Sequence, residues 1–377
     1  MKTVKLYDTD AYIKEFGATV LSCEKAGEFY KIILDKTCFF PEAGGQPSDT
    51  GTINGAAVSD VLIENGEIVH YCISPFDAGD TISGEIDFDR RFSFMQNHSG
   101  EHIVSGIVNR LFGFNNVGFH LNEEFVTLDF DGVLSKEELE KVEFLANKAV
   151  WEDRTVTAFY PSDEEINKIS FRQKSDIEGE IRLVKIDGVD ICACCAPHVG
   201  STGQIGLIKF LSTEKMRGGI RIFMKCGEFA LKDYRQSHDI ITKLQNEFSV
   251  KPEEVYDGFL SFKAVKESLK AENLALKKKL LSFTAGEINE KVAYIEGLAM
   301  PELQKLCDAV FKKRGATSIV FSDSEKGGYN LVIRGDNADE IFNKAKQNLD
   351  INGGGRNGMI SCRVNAIKED IIREFSK

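Results

Sequence analysis

The chain has 377 residues, 42% of them hydrophobic and 28% charged, with a formal net charge of −12. That is the make-up of a soluble globular protein of two or three domains, and no apolar run approaches the ~18 residues of a membrane span. The acidic balance excludes indiscriminate nucleic-acid binding, although not a local basic surface. The first residues, Met-Lys-Thr-Val-Lys-Leu-Tyr-Asp, lack the apolar core of a signal peptide. Nine cysteines, three of them crowded at Cys192, Cys194 and Cys195, do not read as a disulfide framework. Reduced thiols and a cytoplasmic location are expected.

From residue 1 to about 90, apolar runs such as Tyr30–Leu34, Val61–Ile63 and Ile68–Cys72 alternate with turn signals at Gly27, Asn54-Gly55, Asn65-Gly66 and Ala78-Gly79-Asp80. Hairpins so closely spaced predict a small antiparallel barrel or sandwich. Within this stretch, Phe39 to Gly51 is a loop rich in Gly and Pro, where Gly44 and Gly45 permit a backbone closed to other residues or the close approach of a ligand. A helix is predicted from Arg90 to about Phe112, ended by Gly113. A strand at Phe125–Phe130 follows, then a helix from Ser135 to about Val150 opened by the capping-box pair Ser135 and Glu138. Strands at Ile181–Ile186 and Gln204–Leu211 complete an α+β segment.

Residues 232 to about 283 are nearly free of Gly and Pro after Pro252. Leu260, Phe262, Leu269, Leu274, Leu276 and Leu280 among Lys and Glu predict one or two long amphipathic helices, the stripe packing in a core or against another subunit. Lys263, Lys266, Lys270, Lys277, Lys278 and Lys279 lie in the same stretch; charge alone favours a solvated face over a nucleic-acid surface. Beyond Pro301, the segments Glu302–Lys313, Ser318–Ser322, Tyr329–Arg334 and Ala338–Leu349 alternate as a small α/β domain. It holds a second glycine-rich loop, Gly353-Gly-Gly-Arg-Asn-Gly358, a shape that either receives a phosphate or nucleotide edge or is simply a tight turn.

The chemistry concentrates in two couples of equal spacing, His98-Ser-Gly-Glu-His102 and Cys194-Cys-Ala-Pro-His198, which take three of the six histidines. On a helix, His98 and His102 share one face a turn apart. A loop bearing Cys194 and His198 can close a tetrahedron from the other side, and three imidazoles with a thiolate suit one zinc ion. Cys192 and Cys195 are rival ligands to Cys194. Four protein ligands lean toward a closed site rather than one with an open water position. His98-Ser-Gly-Glu101-His102 also matches H-x-x-E-H, in which Glu101 would be the general base of a zinc peptidase. That alternative leaves Cys194 and His198 unexplained.

Four collinear blocks carry a resemblance: Phe40-Pro-Glu-Ala-Gly-Gly-Gln-Pro-Ser-Asp49; Arg91 through Gln96-Asn-His98 to His102; Cys194 to His198-Val; and Thr202-Gly-Gln-Ile-Gly206 leading to Arg217-Gly-Gly-Ile-Arg221. Together they resemble the editing domain of alanyl-tRNA synthetases and of its free-standing, AlaX-type relatives. The resemblance covers residues 1–228 firmly. It continues more loosely into a C-terminal domain similar to the DHH-associated, glycine-rich domain of those synthetases. Threonyl-tRNA synthetase editing domains share the histidine and cysteine pattern, but the Gly-Gly-Gln-Pro block and the C-terminal domain point to alanine's family. With no room before residue 1 for an aminoacylation domain, the long stand-alone form is expected.

The resemblance implies an α+β multidomain chain: a small antiparallel β-barrel (1–90), an α+β zinc-binding editing domain (91–228), a helical arm (229–285) and a small α/β C-terminal domain (286–377). It implies an aminoacyl-tRNA deacylase that hydrolyses the ester of mischarged Ser-tRNA(Ala), with Gly-tRNA(Ala) as a second substrate, and no ATP binding. An alanine pocket rejects neighbouring amino acids poorly, so a second, hydrolytic sieve is needed. By the same resemblance His98, His102, Cys194 and His198 are the ligands of one zinc ion per chain. Gln46 lines the pocket near the ester, His120 and Thr127 line it further, and Gly44 and Gly45 approach the substrate. Arg221 receives the terminal phosphate. Lys277, Lys278, Gly353, Gly354, Gly355 and Arg356 touch the tRNA, and the arm and C-terminal domain pair two chains as a homodimer. A zinc-stabilised RNA-binding module without catalysis is the alternative from another class. This chain departs from the family's usual Cys-Gly-Gly-Thr-His at Cys194-Cys-Ala-Pro-His198, and from Gly-Gly-Gly at Ala43-Gly44-Gly45.

Overall fold

The computed structural model describes residues 2–173 and 180–377. They form two compact units, Met1–Lys243 and Leu244–Lys377, with the boundary inside the helix Gly227–Phe248.

In the first unit, Glu15–Ala26, Phe29–Leu34, Gly51–Ile53, Ala56–Glu64, Glu67–Cys72 and Thr81–Ile86 close into an antiparallel barrel. Its hairpins turn where the sequence places Asn-Gly: both residues of Asn54-Gly55 and of Asn65-Gly66 have positive φ, the backbone that two-residue turns between twisted strands require. Inward residues alternate with outward ones, so that Ile82 and Ile86 are buried while Thr81, Ser83 and Glu85 are exposed. Phe39 and Phe40 leave the strands to plug the core beside Ile32, Leu34, Ile53 and Val61. Each such side chain contributes roughly 1.5–3 kcal/mol by leaving water.

The same unit continues into a four-stranded antiparallel sheet, ordered Ile208–Met216, Gly219–Cys226, Val126–Phe130, Asn116–Leu121. Val126, Leu128, Phe130, Ile220, Ile222 and Met224 share a core with Ile103, Val104, Ile107 and Val108 of the helix Phe88–Phe112. That helix is capped by the Asp87 side chain at its start and by left-handed Gly113 at its end. The helix Lys136–Trp151 opens on the expected capping box of Ser135 and Glu138. A three-stranded sheet, Val156–Phe159, Leu183–Ile186 and Asp190–Ala193, delivers the chain to Cys194. The expected strand Gln204–Leu211 is corrected at its start. Thr202–Ile205 is a turn of 3₁₀ helix, and pairing begins only at Ile208, after Gly206 turns the chain with φ +80°.

In the second unit, the helix Val255–Glu287 precedes a five-stranded sheet ordered Val292–Tyr294, Ser318–Asp323, Tyr329–Arg334, Met359–Asn365, Asp350–Arg356. Helices Met300–Arg314, Ala338–Ala345 and Lys368–Phe375 accompany it. The expected glycine loop is corrected here. Gly353, Gly354 and Gly355 belong to the edge strand, and the turn is Asn357-Gly358, with φ of 57° and 70°. The glycines permit close pairing, since a Cβ on Gly355 would lie 1.9 Å from the Met359 carbonyl oxygen.

Candidate metal centre

Two elements that enter the core from different directions build the site. The Phe88–Phe112 helix carries His98 and His102 one turn apart and only 1% exposed. The chain leaving the strand Asp190–Ala193 brings Cys194 and then His198, itself 5% exposed. One ligand atom from each of the four lies within 4.8 Å of every other. Cys194 Sγ stands 3.5 Å from His98 Nε2 and 3.4 Å from His198 Nε2. Zinc bonds of ~2.0 Å to nitrogen and ~2.3 Å to sulfur put tetrahedral neighbours roughly 3.3–3.6 Å apart. The donors therefore fit zinc in spacing as well as in chemistry.

A second feature fits it too. The far nitrogen of every imidazole meets a polar group of the protein. His98 Nδ1 is 2.8 Å from Gln46 Oε1, His198 Nδ1 is 2.9 Å from Ser99 Oγ, and His102 Nδ1 is 3.5 Å from Asp190 Oδ2. With Nδ1 protonated, hydrogen-bonded in His98 and His198 and facing the Asp190 carboxylate in His102, all three Nε2 lone pairs are left for a metal. Ser99 also accepts from the Val199 N–H, tying the His198 loop back to the helix. Cys194, not Cys192 or Cys195, is the cysteine of this cluster. Cys192 is buried on the Asp190 side of His102, and Cys195 turns outward near Gly44. Where the family's usual loop has glycines, buried Arg182 clamps this one, donating Nη1 to the carbonyls of Cys194 and Ala196 at 3.0 and 2.9 Å.

Gly44 and Gly45 are the central pair of a tight turn closed by reciprocal bonds between Ala43 and Gln46, with φ of 61° and 79°. A side chain at Gly45 would strike Phe119, whose ring packs 4.7 Å from that of His98. The turn thus delivers Gln46, fully buried, to the back of His98. Beneath it, Arg91 of the helix and Asp49 of the loop form an ion pair with no exposure on either side, and Arg91 also donates to the Cys38 and Ala11 carbonyls. Glu101 lies inside the site. One carboxylate oxygen accepts from Ser105 and Asn116 at 2.7 and 2.6 Å, and the other stands 3.6 Å from His102 Nε2.

Residues 7–90, which take in Gln46 and its turn, match the family described as tRNA synthetases class II (A). Residues 181–222, which take in Cys194 and His198, match the threonyl and alanyl tRNA synthetase second additional domain. An alanyl-tRNA editing protein, Aarsd1-A of Xenopus laevis, is 30% identical over 75% of this chain and 73% of its own length. The chain belongs to the alanyl-tRNA editing family. Another member, the alanyl-tRNA editing protein AlaX-L of Pyrococcus horikoshii, is 27% identical over 98% of this chain and 96% of its own. Alanine–tRNA ligase of Pyrococcus abyssi is 35% identical over 98% of this chain, which spans 42% of the ligase. The chain thus covers well under half the length of that ligase.

For this editing-family chain the structure divides the other residues expected in the site. His120 and Thr127 are cross-strand partners on the sheet face opposite Leu128 and Phe119, with His120 exposed and Thr127 7% exposed. Strand alternation puts them away from the imidazoles, on the face that Arg221 and Asp129 share. Arg221 is engaged there, donating Nε and Nη2 to the two Asp129 oxygens at 2.6 Å each. In the second unit Lys277 pairs with Glu302 at 2.7 Å, Lys278 is exposed, and Gly353 to Arg356 form the edge strand. Sequence reasoning missed Ser99, Arg172, Arg182 and Asp190. Ser99 lay inside the first ligand couple and Asp190 four residues before Cys194, but neither spacing announces a hydrogen bond to a particular imidazole.

Proposed function

We propose that this chain is a trans-editing deacylase that hydrolyses the aminoacyl ester of Ser-tRNA(Ala), and of Gly-tRNA(Ala), at a centre holding one zinc ion through His98, His102, Cys194 and His198. The observation that carries the reading is the donor set: four ligand atoms within 4.8 Å of one another, each histidine facing a polar group at Nδ1, in a chain of the editing family. Bound there, zinc supplies positive charge for the oxygen-rich 3′ end of the tRNA and its ester. The rest of the work falls to the chain. Gln46 gives its carbonyl to His98, and its buried Nε2 finds no hydrogen-bond partner among the described residues, so the site holds a donor not used by the protein. The turn at Gly44 and Gly45 exposes backbone beside Cys195, next to half-buried Cys194, the most open of the four ligands. Such groups orient an ester and its attacking water.

The tRNA body falls to the second unit, through Lys277, Lys278 and the Gly353–Arg356 strand. The arm helix supports a homodimer: Phe262, Leu269, Leu276 and Phe283 recur every seventh residue and are all more than half exposed. Replacing Leu269 and Leu276 by Lys halves the solution mass if that reading holds. A thiolate metal ligand fits a reducing, cytoplasmic setting. The functional test is release of amino acid from tRNA(Ala) charged with serine, glycine or alanine. Rapid loss of serine but not alanine, abolished by His102→Ala, is the expected result. Tight tRNA binding without release would leave an RNA-binding module instead.

A further inference from the structure

We propose that Arg172 and Asp190 are the positioning pair of the metal centre, the Asp190 carboxylate facing His102 Nδ1 and keeping the proton there so that Nε2 faces the metal, and Arg172 fixing Asp190. The proposal rests on the zinc reading above. At Nδ1, His98 meets Gln46 and His198 meets Ser99, both neutral groups, whereas His102 faces a carboxylate. That carboxylate is held in turn by a two-pronged guanidinium, with Arg172 Nε to Asp190 Oδ1 at 2.7 Å and Nη2 to Oδ2 at 2.6 Å. Gripped on both oxygens by the guanidinium, Asp190 is placed as a carboxylate facing His102 Nδ1.

Backbone geometry makes the pair rigid. Arg172 lies alongside the ligand strand, its N–H donating to the Ile191 carbonyl at 2.8 Å and its carbonyl accepting from Ala193 at 2.9 Å. Asp190 opens that same strand, four residues before Cys194. One short strand thus sets both the thiolate ligand and the group that orients a ligand on the helix. Gly106 makes the approach possible, because a Cβ there would stand 2.7 Å from Asp190 Cβ. His102, Asp190 and Cys192 are also close enough together to hold a metal of their own. A cation there would face the Arg172 guanidinium, and both Asp190 oxygens are already engaged, so orientation is the role that fits.

The test is zinc affinity, measured by competition with a chromophoric chelator. Asp190→Ala strands the Arg172 charge and risks misfolding. The decisive variant is therefore the double Arg172→Met/Asp190→Leu, which removes both charges, with its metal-free thermal midpoint as the folding control. It should fold and hold zinc about 10–100-fold more weakly than wild type, the usual effect of removing a partner behind a ligand. Asp190→Asn, which keeps an acceptor, should recover most of the affinity. Nitrogen-15 spectra of the zinc-loaded wild type should show the His102 proton on Nδ1. A folded double variant that binds zinc as tightly as wild type, or a His102 proton on Nε2, overturns the proposal alone. A wild type that takes up no zinc overturns the metal centre itself.

Discussion

At Glu101 two chemistries meet. Its second oxygen lies 3.6 Å from the metal-facing nitrogen of His102, which suits a general base, while its first is held by Ser105 and Asn116 and suits a buried strut. Glu101→Gln separates them, because the amide oxygen still accepts from both donors but no base remains. The editing account expects deacylation of Ser-tRNA(Ala) to fall by less than about tenfold; a collapse to background would restore the peptidase-like role. His70 gives a second prediction. Fully buried in the barrel, it donates Nδ1–H to the Ile32 carbonyl and accepts at Nε2 from the Thr37 hydroxyl, and burial pushes its pKa from 6.5 down to about 4. The unfolded chain therefore binds the proton first as pH falls. The stability His70 confers is complete above about pH 6.5 and drains away toward pH 4, about 3 kcal/mol in all. Urea midpoints at pH 7 and 4.5 should fall further for wild type than for His70→Asn; equal falls would contradict it. The cluster of His98, His102, Cys194 and His198 was legible because metal chemistry imposes spacing on a chain. Gln46 stood out only through its glycine-rich block, and Ser99 and Asp190 not at all, since they reach the imidazoles from a helix and a strand.

Elements whose signals are local read most directly. The capping box at Ser135, the stop at Gly113 and the two Asn-Gly hairpins each depend on a few neighbouring residues, and each stands where the sequence puts it. Signals shared by two structures misled. Gly353 to Gly355 are consistent with a phosphate loop or with an edge strand pressed on its neighbour, and only the pairing partner decides. Period-two alternation places His120, Thr127 and Arg221 on one face, but not which face meets the helix. Between elements, the Asp49–Arg91 pair joins the glycine-rich loop to the histidine helix with both charges buried. Asp49→Ala should lower stability by about 3–5 kcal/mol in thermal unfolding, because it strands the arginine. Arg91→Met/Asp49→Leu should cost much less. Equal losses would mean that the pair serves packing and not charge.

At the scale of the whole molecule, three segments distant in sequence serve one small volume. The barrel contributes the Gln46 turn, the helix His98 and His102, and the three-stranded sheet and the loop after it Asp190, Cys194 and His198. The editing-family relatives AlaX-L and Aarsd1-A share this chain over most of their own lengths, whereas it spans only 42% of the Pyrococcus abyssi ligase. Order of motifs along the chain was legible; their convergence depends on the fold between them. The most direct test is a chelator titration in which zinc content and Ser-tRNA(Ala) deacylation are measured on the same samples. The account predicts one zinc per chain at full activity, loss of both in proportion, and return of both when zinc is restored. Full deacylation by metal-free, folded protein would contradict it.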